Sequence, residues 1–187
     1  MIVFVSVMIT FGCIAASFRR LYSATNPTSF DPAMLAKLVH EAPEKFVRLV
    51  STSNDAVWER ELWQAVRHPD RIARSALVNE QIGEFEYRVK RWAQVPRVCA
   101  RIASTSGFLL ASLVLRSGLK DPASLMSGDA MQIATSGPIA QALSVVTLGM
   151  MGGAFCLVFQ ERARKAEKAN FGTVDDLVEA TEQAFSP

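Results

Sequence analysis

No charged residue occurs between Met131 and Phe159, a run of twenty-nine residues that ends against QERARKAEK. At ~1.5 Å per residue, about 20 apolar residues cross a bilayer core, so this stretch spans one with turns to spare. Cysteine is scarce: Cys13, Cys99 and Cys156 lie in or beside apolar segments, with no CxxC and no even framework. That excludes a disulfide scaffold and leaves them as small buried hydrophobes. The two histidines, His40 and His68, have no second His or Cys at ligand spacing, so no metal site is expected. A net charge of +2 is too small to indicate a nucleic-acid partner. No nucleophile–base set, phosphate loop or redox motif is present, so no catalytic residue, cofactor or enzymatic role is expected. Strand alternation is also missing, which makes the expected fold all-α.

What is present is apolar length with basic ends. Half of the residues are hydrophobic and one-fifth are charged, giving a mean hydropathy of +0.18. The apolar residues come in uncharged blocks, unlike the scattered pattern of a soluble core. The first block, Ile2 to Ser17, has its charges after it (Arg19 and Arg20) and lacks the basic start of a signal peptide. Thr10, three residues before Cys13, makes TFGC a poor lipidation site. A short first span of about 24 Å is expected there, with its N-terminus outside. Between Arg101 and Arg116 only fourteen uncharged residues remain, IASTSGFLLASLVL. That is short for a ~30 Å core, but arginines can snorkel from both ends. The alternative is a buried helix of a soluble domain.

Between these spans the sequence predicts helices throughout. Asp31 caps one that opens on Pro32, with breaks near Pro43 and at Ser51 to Asn54. AVWERELWQAV forms another and stops near Pro69. A longer helix is expected from Asp70 through Val95, burying Ile72, Ala76, Leu77, Ile82, Phe85, Val89 and Trp92 on one face, with Gly83 its weak point. Trp58, Trp63 and Trp92 read as packing residues, Trp92 near the membrane surface. Thr173 reads as the N-cap of a last helix, with Asp175 and Asp176 in its first turn.

Basic clusters at Arg19–Arg20, at Arg88 to Arg101 and at Arg162 to Lys168 fall on one side of this layout. The connection after Arg116 carries only Lys120, Asp121 and Asp129. The positive-inside bias then yields a multi-pass protein with its N-terminus outside and its C-terminus cytoplasmic. The expected segments are a first span at 1–18, a cytoplasmic helical region at 19–98 and a second span at 99–117. An external loop at 118–130, a third span at 131–160 and a cytoplasmic tail at 161–187 complete the layout.

Within the spans, Ala103, Gly107 and Ala111 form a small-residue ridge at spacing four, and Gly149 and Gly153 form a second one. Both read as close-packing points between helices. Thr105 and Ser112 share a face; their hydroxyls serve either a neighbour or their own helix carbonyls. Gln141 cannot face lipid without leaving amide groups unsatisfied, so it faces an interhelical bond or a pore wall. Ser144 and Thr147 follow near its face and suggest a water-lined seam. Arg116 stands at the external mouth as an anchor or as a charge influencing ion entry.

Two segments carry a resemblance. GPIAQALSVVTLGMMGGA resembles the third span, and RWAQVPRVCARIASTSGFLLASLV the approach to the second span, of the MotA/TolQ/ExbB proton channel family, most closely its three-span TolQ/ExbB branch. With the long helix leading into span two, the likeness covers about half the chain. It implies a homo-oligomer, a pentamer in the bacterial inner membrane, around a single-span TolR/ExbD/MotB-like partner whose intramembrane aspartate shares the ion path. It also implies an energy-transducing complex driven by proton motive force. By position, Ser112 stands at the family's span-two Thr with Ala111 for the preceding Gly, and Gly149 at the span-three Gly. Gln141 replaces a usual acidic residue, Val146 takes the span-three Thr position one residue before Thr147, and Phe155 and Thr105 replace prolines. The resemblance implies an ion path past Ser112 and Gln141, and Thr105, Ser144 and Thr147 are candidates for the same path from the faces they share with those two residues. The loss of a titratable group at Gln141 leaves open a non-conducting scaffold of the same kind of complex.

Overall fold

The computed structural model describes residues 2–119 and 137–185. Among these the fold is all-α, with no strand. The helices are α1 (Ile2–Thr25), α2 (Pro32–Glu41), α3 (Pro43–Thr52), α4 (Val57–Val66), α5 (Arg71–Lys90), α6 (Val95–Leu119) and α7 (Pro138–Phe185). Three helical stretches, Ile2–Thr25, Arg71–Gly118 and Pro138–Phe185, are long and apolar enough to span a membrane. The expected external loop beyond α6, with Lys120, Asp121 and Asp129, and the start of the expected third span, Met131 to Ser136, lie outside the described residues.

The chain divides into two compact units. One comprises Met1–Leu21 and Ala93–Arg162; the other comprises Tyr22–Trp92 and Ala163–Pro187. The second has a conventional core. Asp31 caps α2 by accepting from the Ala33 N–H at 3.0 Å, with Pro32 in the first helical position where its missing N–H costs nothing. Pro43 opens α3 after the break at Ala42, and Asp70 caps α5 through the Ile72 N–H at 3.0 Å. These starts agree with the sequence reading. Leu35 and Val39, Phe46 and Val50, and Trp58, Leu62 and Val66 bring apolar stripes of α2, α3 and α4 together. α5 adds Val78, Phe85 and Val89, and the later part of α7 adds Val174 and Leu177. Trp58 donates its indole N–H to the Gln81 carbonyl at 2.9 Å and meets Phe85, which takes Phe171 edge-on at 5.6 Å between ring centres. Buried Glu59 accepts from the N–H groups of Ser29 and Phe30, fixing the loop before α2. The Asn170 amide donates to the Ala24 carbonyl at 2.7 Å, tying α7 to the end of α1.

The structure departs from the sequence-based expectations at four points. The helix from Asp70 does not run through Val95: a turn at residues 91–94 separates α5 from α6. Pro96 has no N–H for the Trp92 carbonyl, and its ring crowds that carbonyl, so the regular ladder relaxes in the preceding turn. The buried face of α5 is Val78, Phe85 and Val89 with Leu77 and Ile82 beside it; Ile72, Ala76 and Trp92 are exposed. Spacings of four, three and four from Val78 through Ile82 and Phe85 to Val89 define that face, and Ile72 lies off it. Trp92 is no packing residue; the Arg91 guanidinium covers its ring at 5.2 Å. Thr173 caps nothing. It sits inside α7 and donates its hydroxyl to the Asn170 carbonyl at 3.0 Å, while Phe171, Val174 and Leu177 hold the helix continuous against the core. Gly83 does not interrupt α5.

Candidate functional site

The unit made of α1, α6 and α7 is patterned in reverse. Ser6, Thr10, Cys13, Ser17 and Arg20 recur at spacings of four, three, four and three on α1, and all are buried. Before and between them Phe4, Met8, Phe11 and Phe18 are exposed, Phe11 with 70% of its surface. On α6 the exposed side chains include Ile102, Phe108, Leu109 and Leu113; on α7 they include Leu143, Met151, Phe155 and Val158. Large apolar residues form the outer shell, and small or polar ones the inside. The α1 stripe is the feature that sequence reading missed. Its 4-3-4-3 repeat of Ser, Thr, Cys, Ser and Arg is a legible signal that the apolar average of the run conceals.

The inside is narrow because glycine and alanine line it. A methyl group added at Gly149 would stand 2.7 Å from the Ala103 carbonyl oxygen and 2.9 Å from the Gly107 Cα. One added at Gly107 would stand 3.1 Å from the Gly149 Cα, and one at Gly153 would stand 3.2 Å from the Ala100 carbonyl. The pairs Gly107–Gly149 and Ala100–Gly153 run in opposite senses along the two chains, so α6 and α7 pack antiparallel through backbone contact. Ala111 joins Val114, Ala142 and Val145 one step further along. Gly152, absent from the sequence-based candidates, receives the Thr10 side chain of α1. Cys13, Cys99 and Cys156, one from each helix, meet beside Ala100 and Ala103 as free, buried thiols, in keeping with their expected apolar role. Phe18 closes that end by meeting Phe159 edge-on.

The hydroxyl and amide candidates are elsewhere. Thr105 and Ser112 on α6, and Gln141, Ser144 and Thr147 on α7, are all exposed on the outer faces of their helices. Each hydroxyl donates to a carbonyl of its own helix: Thr105 to Arg101 at 2.7 Å, Ser112 to Leu109 at 2.7 Å, Ser144 to Ala140 at 2.8 Å and Thr147 to Leu143 at 2.8 Å. None of the five contacts another through a hydrogen bond. Gln141 differs from the rest: its backbone N–H reaches the Gly137 carbonyl, and no side-chain partner for its amide occurs among the described residues.

Comparison with family models, with curated proteins and with solved structures yields no match. The chemistry therefore rests on this chain's own residues.

From Ile102 to Leu115 on α6 and from Pro138 to Phe159 on α7 there is no carboxylate, lysine, arginine or histidine. Hydroxyl lone pairs and one amide are the polar groups these outer faces offer. They can line a path for water or a hydrated ion. They cannot hold or release a proton at neutral pH, so a proton held at this level needs a titratable group from outside these two stretches. Among the described residues no cluster of His, Cys, Asp or Glu could hold a metal ion.

Proposed function

We propose that this chain is an ion-conducting subunit of an energy-transducing complex in the bacterial inner membrane, driven by proton motive force. The reversed patterning of the α1/α6/α7 unit supports membrane insertion. In water, an outer shell of Phe4, Phe11, Phe108, Leu109, Met151 and Phe155 would be far too apolar for a monomer, whereas acyl chains solvate it at no cost. Arg19 and Arg20 after the apolar part of α1, the basic residues from Arg88 to Arg101 around the start of α6, and those from Arg162 to Lys168 after the apolar part of α7 support an N-terminus outside and a C-terminus in the cytoplasm.

The observation that carries the step from membrane protein to assembly is Gln141. Its amide is exposed on an apolar face and has no partner among the described residues. Leaving a primary amide in hydrocarbon costs several kcal/mol. A neighbouring copy, a partner helix or water must meet it. Ser144 and Thr147, and Thr105 and Ser112 on the outer face of α6, then turn lone pairs toward the same surroundings. In this reading several copies enclose a single-span partner of the TolR/ExbD/MotB kind. Its intramembrane carboxylate takes up and releases the proton, and this chain supplies the hydroxyl-lined walls.

A second reading, a non-conducting scaffold of such a complex, is favoured by one observation. Every hydroxyl candidate is already satisfied by its own helix, and no carboxylate, lysine, arginine or histidine lies between Pro138 and Phe159. Proton flux into liposomes carrying the chain with its co-purified partner separates the two. Conduction that falls when Ser112→Leu or Thr147→Leu is introduced, with assembly intact, supports the channel. Absence of flux in a fully assembled complex leaves the scaffold.

A further inference from the structure

On the outer side of the α6–α7 contact lies an open groove of about 370 Å³. Arg97, Arg101 and Ser104 of α6 line one side, and Met150, Ala154 and Leu157 of α7 line the other. Gly153 forms its floor, where a Cβ would stand 3.2 Å from the Ala100 carbonyl. The groove therefore exists because the two backbones touch there without side chains between them. Arg97 and Arg101 are one turn apart on the same face of α6 and are both exposed. Neither guanidinium is matched by a carboxylate among the described residues.

We propose that this groove binds one anionic phospholipid, its phosphate held by Arg97 and Arg101 and an acyl chain lying along Met150, Ala154 and Leu157. The proposal rests on the membrane-spanning part of the functional reading and not on conduction. Charge complementarity chooses the headgroup. Two planar guanidinium groups with fixed donors suit the oxygens of a phosphate, and basic pockets between membrane helices on the cytoplasmic side take such headgroups. The apolar wall chooses an amphiphile over a free anion. Inorganic phosphate would satisfy the arginines and leave Met150 and Leu157, each more than half exposed, in water. Depth agrees as well: Arg101 and Arg116 are fifteen residues apart on α6, about 22 Å. With both arginines reaching outward, that places Arg97 and Arg101 at the headgroup level.

The test uses the full chain, delipidated in detergent and followed by native mass spectrometry while phosphatidylglycerol or phosphatidylcholine is added. Phosphatidylglycerol is expected to be retained about 10–30-fold more strongly, the gain of two arginines near a charged surface. The double variant Arg97→Gln/Arg101→Gln should erase the preference, Ala154→Trp should lower retention of both lipids by filling the apolar wall, and Arg48→Gln in the other unit should change neither. Equal retention of the two lipids, or a preference that survives the double variant, overturns the proposal. So does competition by millimolar inorganic phosphate, which would mean an anion site without a chain site. An Ala154→Trp variant that lowers the oligomer number and leaves lipid retention unchanged would assign the groove to a second copy instead. Carbonate washing of membranes holding the double variant checks the underlying reading separately: the chain should stay in the membrane whether or not it binds lipid.

Discussion

Replacing Gly149 by alanine adds one methyl group at the point where α6 and α7 come closest. That carbon would lie 2.7 Å from the Ala103 carbonyl oxygen and 2.9 Å from the Gly107 Cα, both backbone atoms that no rotamer change can move. Carbon contacts are optimal at about 3.5–4.0 Å, so the helices must part by roughly 0.5–1 Å. A radial gap of that size forfeits about a quarter to a half of each contact along the seam, and overpacking of this kind costs about 1–3 kcal/mol. Alanine recovers up to ~1 kcal/mol of helix propensity, which with full recovery leaves a net loss of up to about 2 kcal/mol. Gly83→Ala makes the same chemical change inside α5 where no atom lies within 4 Å of the new methyl group. There the propensity gain acts alone, and stability should rise by up to ~1 kcal/mol. The assay is the denaturation midpoint of the helical circular-dichroism signal for the two variants in one detergent. Opposite signs are expected. A Gly149→Ala protein as stable as Gly83→Ala would refute the backbone-contact account of the bundle.

Asp31→Ala should cost about 1 kcal/mol in the same assay through loss of the Ala33 cap, whereas Thr173→Ala, which removes no cap, should be within about 0.5 kcal/mol of wild type. Trp58→Ala should cost about 3–5 kcal/mol because the ring is buried against Phe85, while Trp92→Ala should be near neutral; similar losses for both would contradict the exposed position of Trp92. The thiols of Cys13, Cys99 and Cys156 should resist a maleimide reagent in the folded protein and all react after denaturation, as counted by mass. Labelling of any of them before unfolding would place that face of its helix outside the bundle.

The two units were not equally readable from sequence. In the α2–α5 unit local chemistry and tertiary packing agree: Asp31, Pro32, Pro43 and Asp70 mark helix starts because the capping groups act within a few residues. The turn before Pro96 follows from that same local chemistry, yet the apolar spacing across it hid the break. Thr173 misled for the opposite reason. It has the composition of a cap, but Phe171, Val174 and Leu177 pack on residues far away in sequence and carry the helix through. In the α1/α6/α7 unit the glycine and alanine ridges were legible because close approach needs small residues wherever it occurs. The inward polar stripe of α1 was not, since averaging over an apolar run removes a 4-3-4-3 signal. The outward position of Thr105, Ser112, Gln141, Ser144 and Thr147 could not be read at all, because spacing defines a shared face without saying which way it turns.

The outward apolar shell of the reversed unit requires lipid as its solvent. Spin labels at Phe11→Cys, Leu109→Cys and Met151→Cys in reconstituted vesicles, compared with one at Tyr87→Cys, test this by collision with apolar oxygen against a water-soluble nickel chelate. The first three labels should meet oxygen far more than nickel, and the label at position 87 should do the reverse. Nickel collision at positions 11, 109 and 151 matching that at 87 would contradict it.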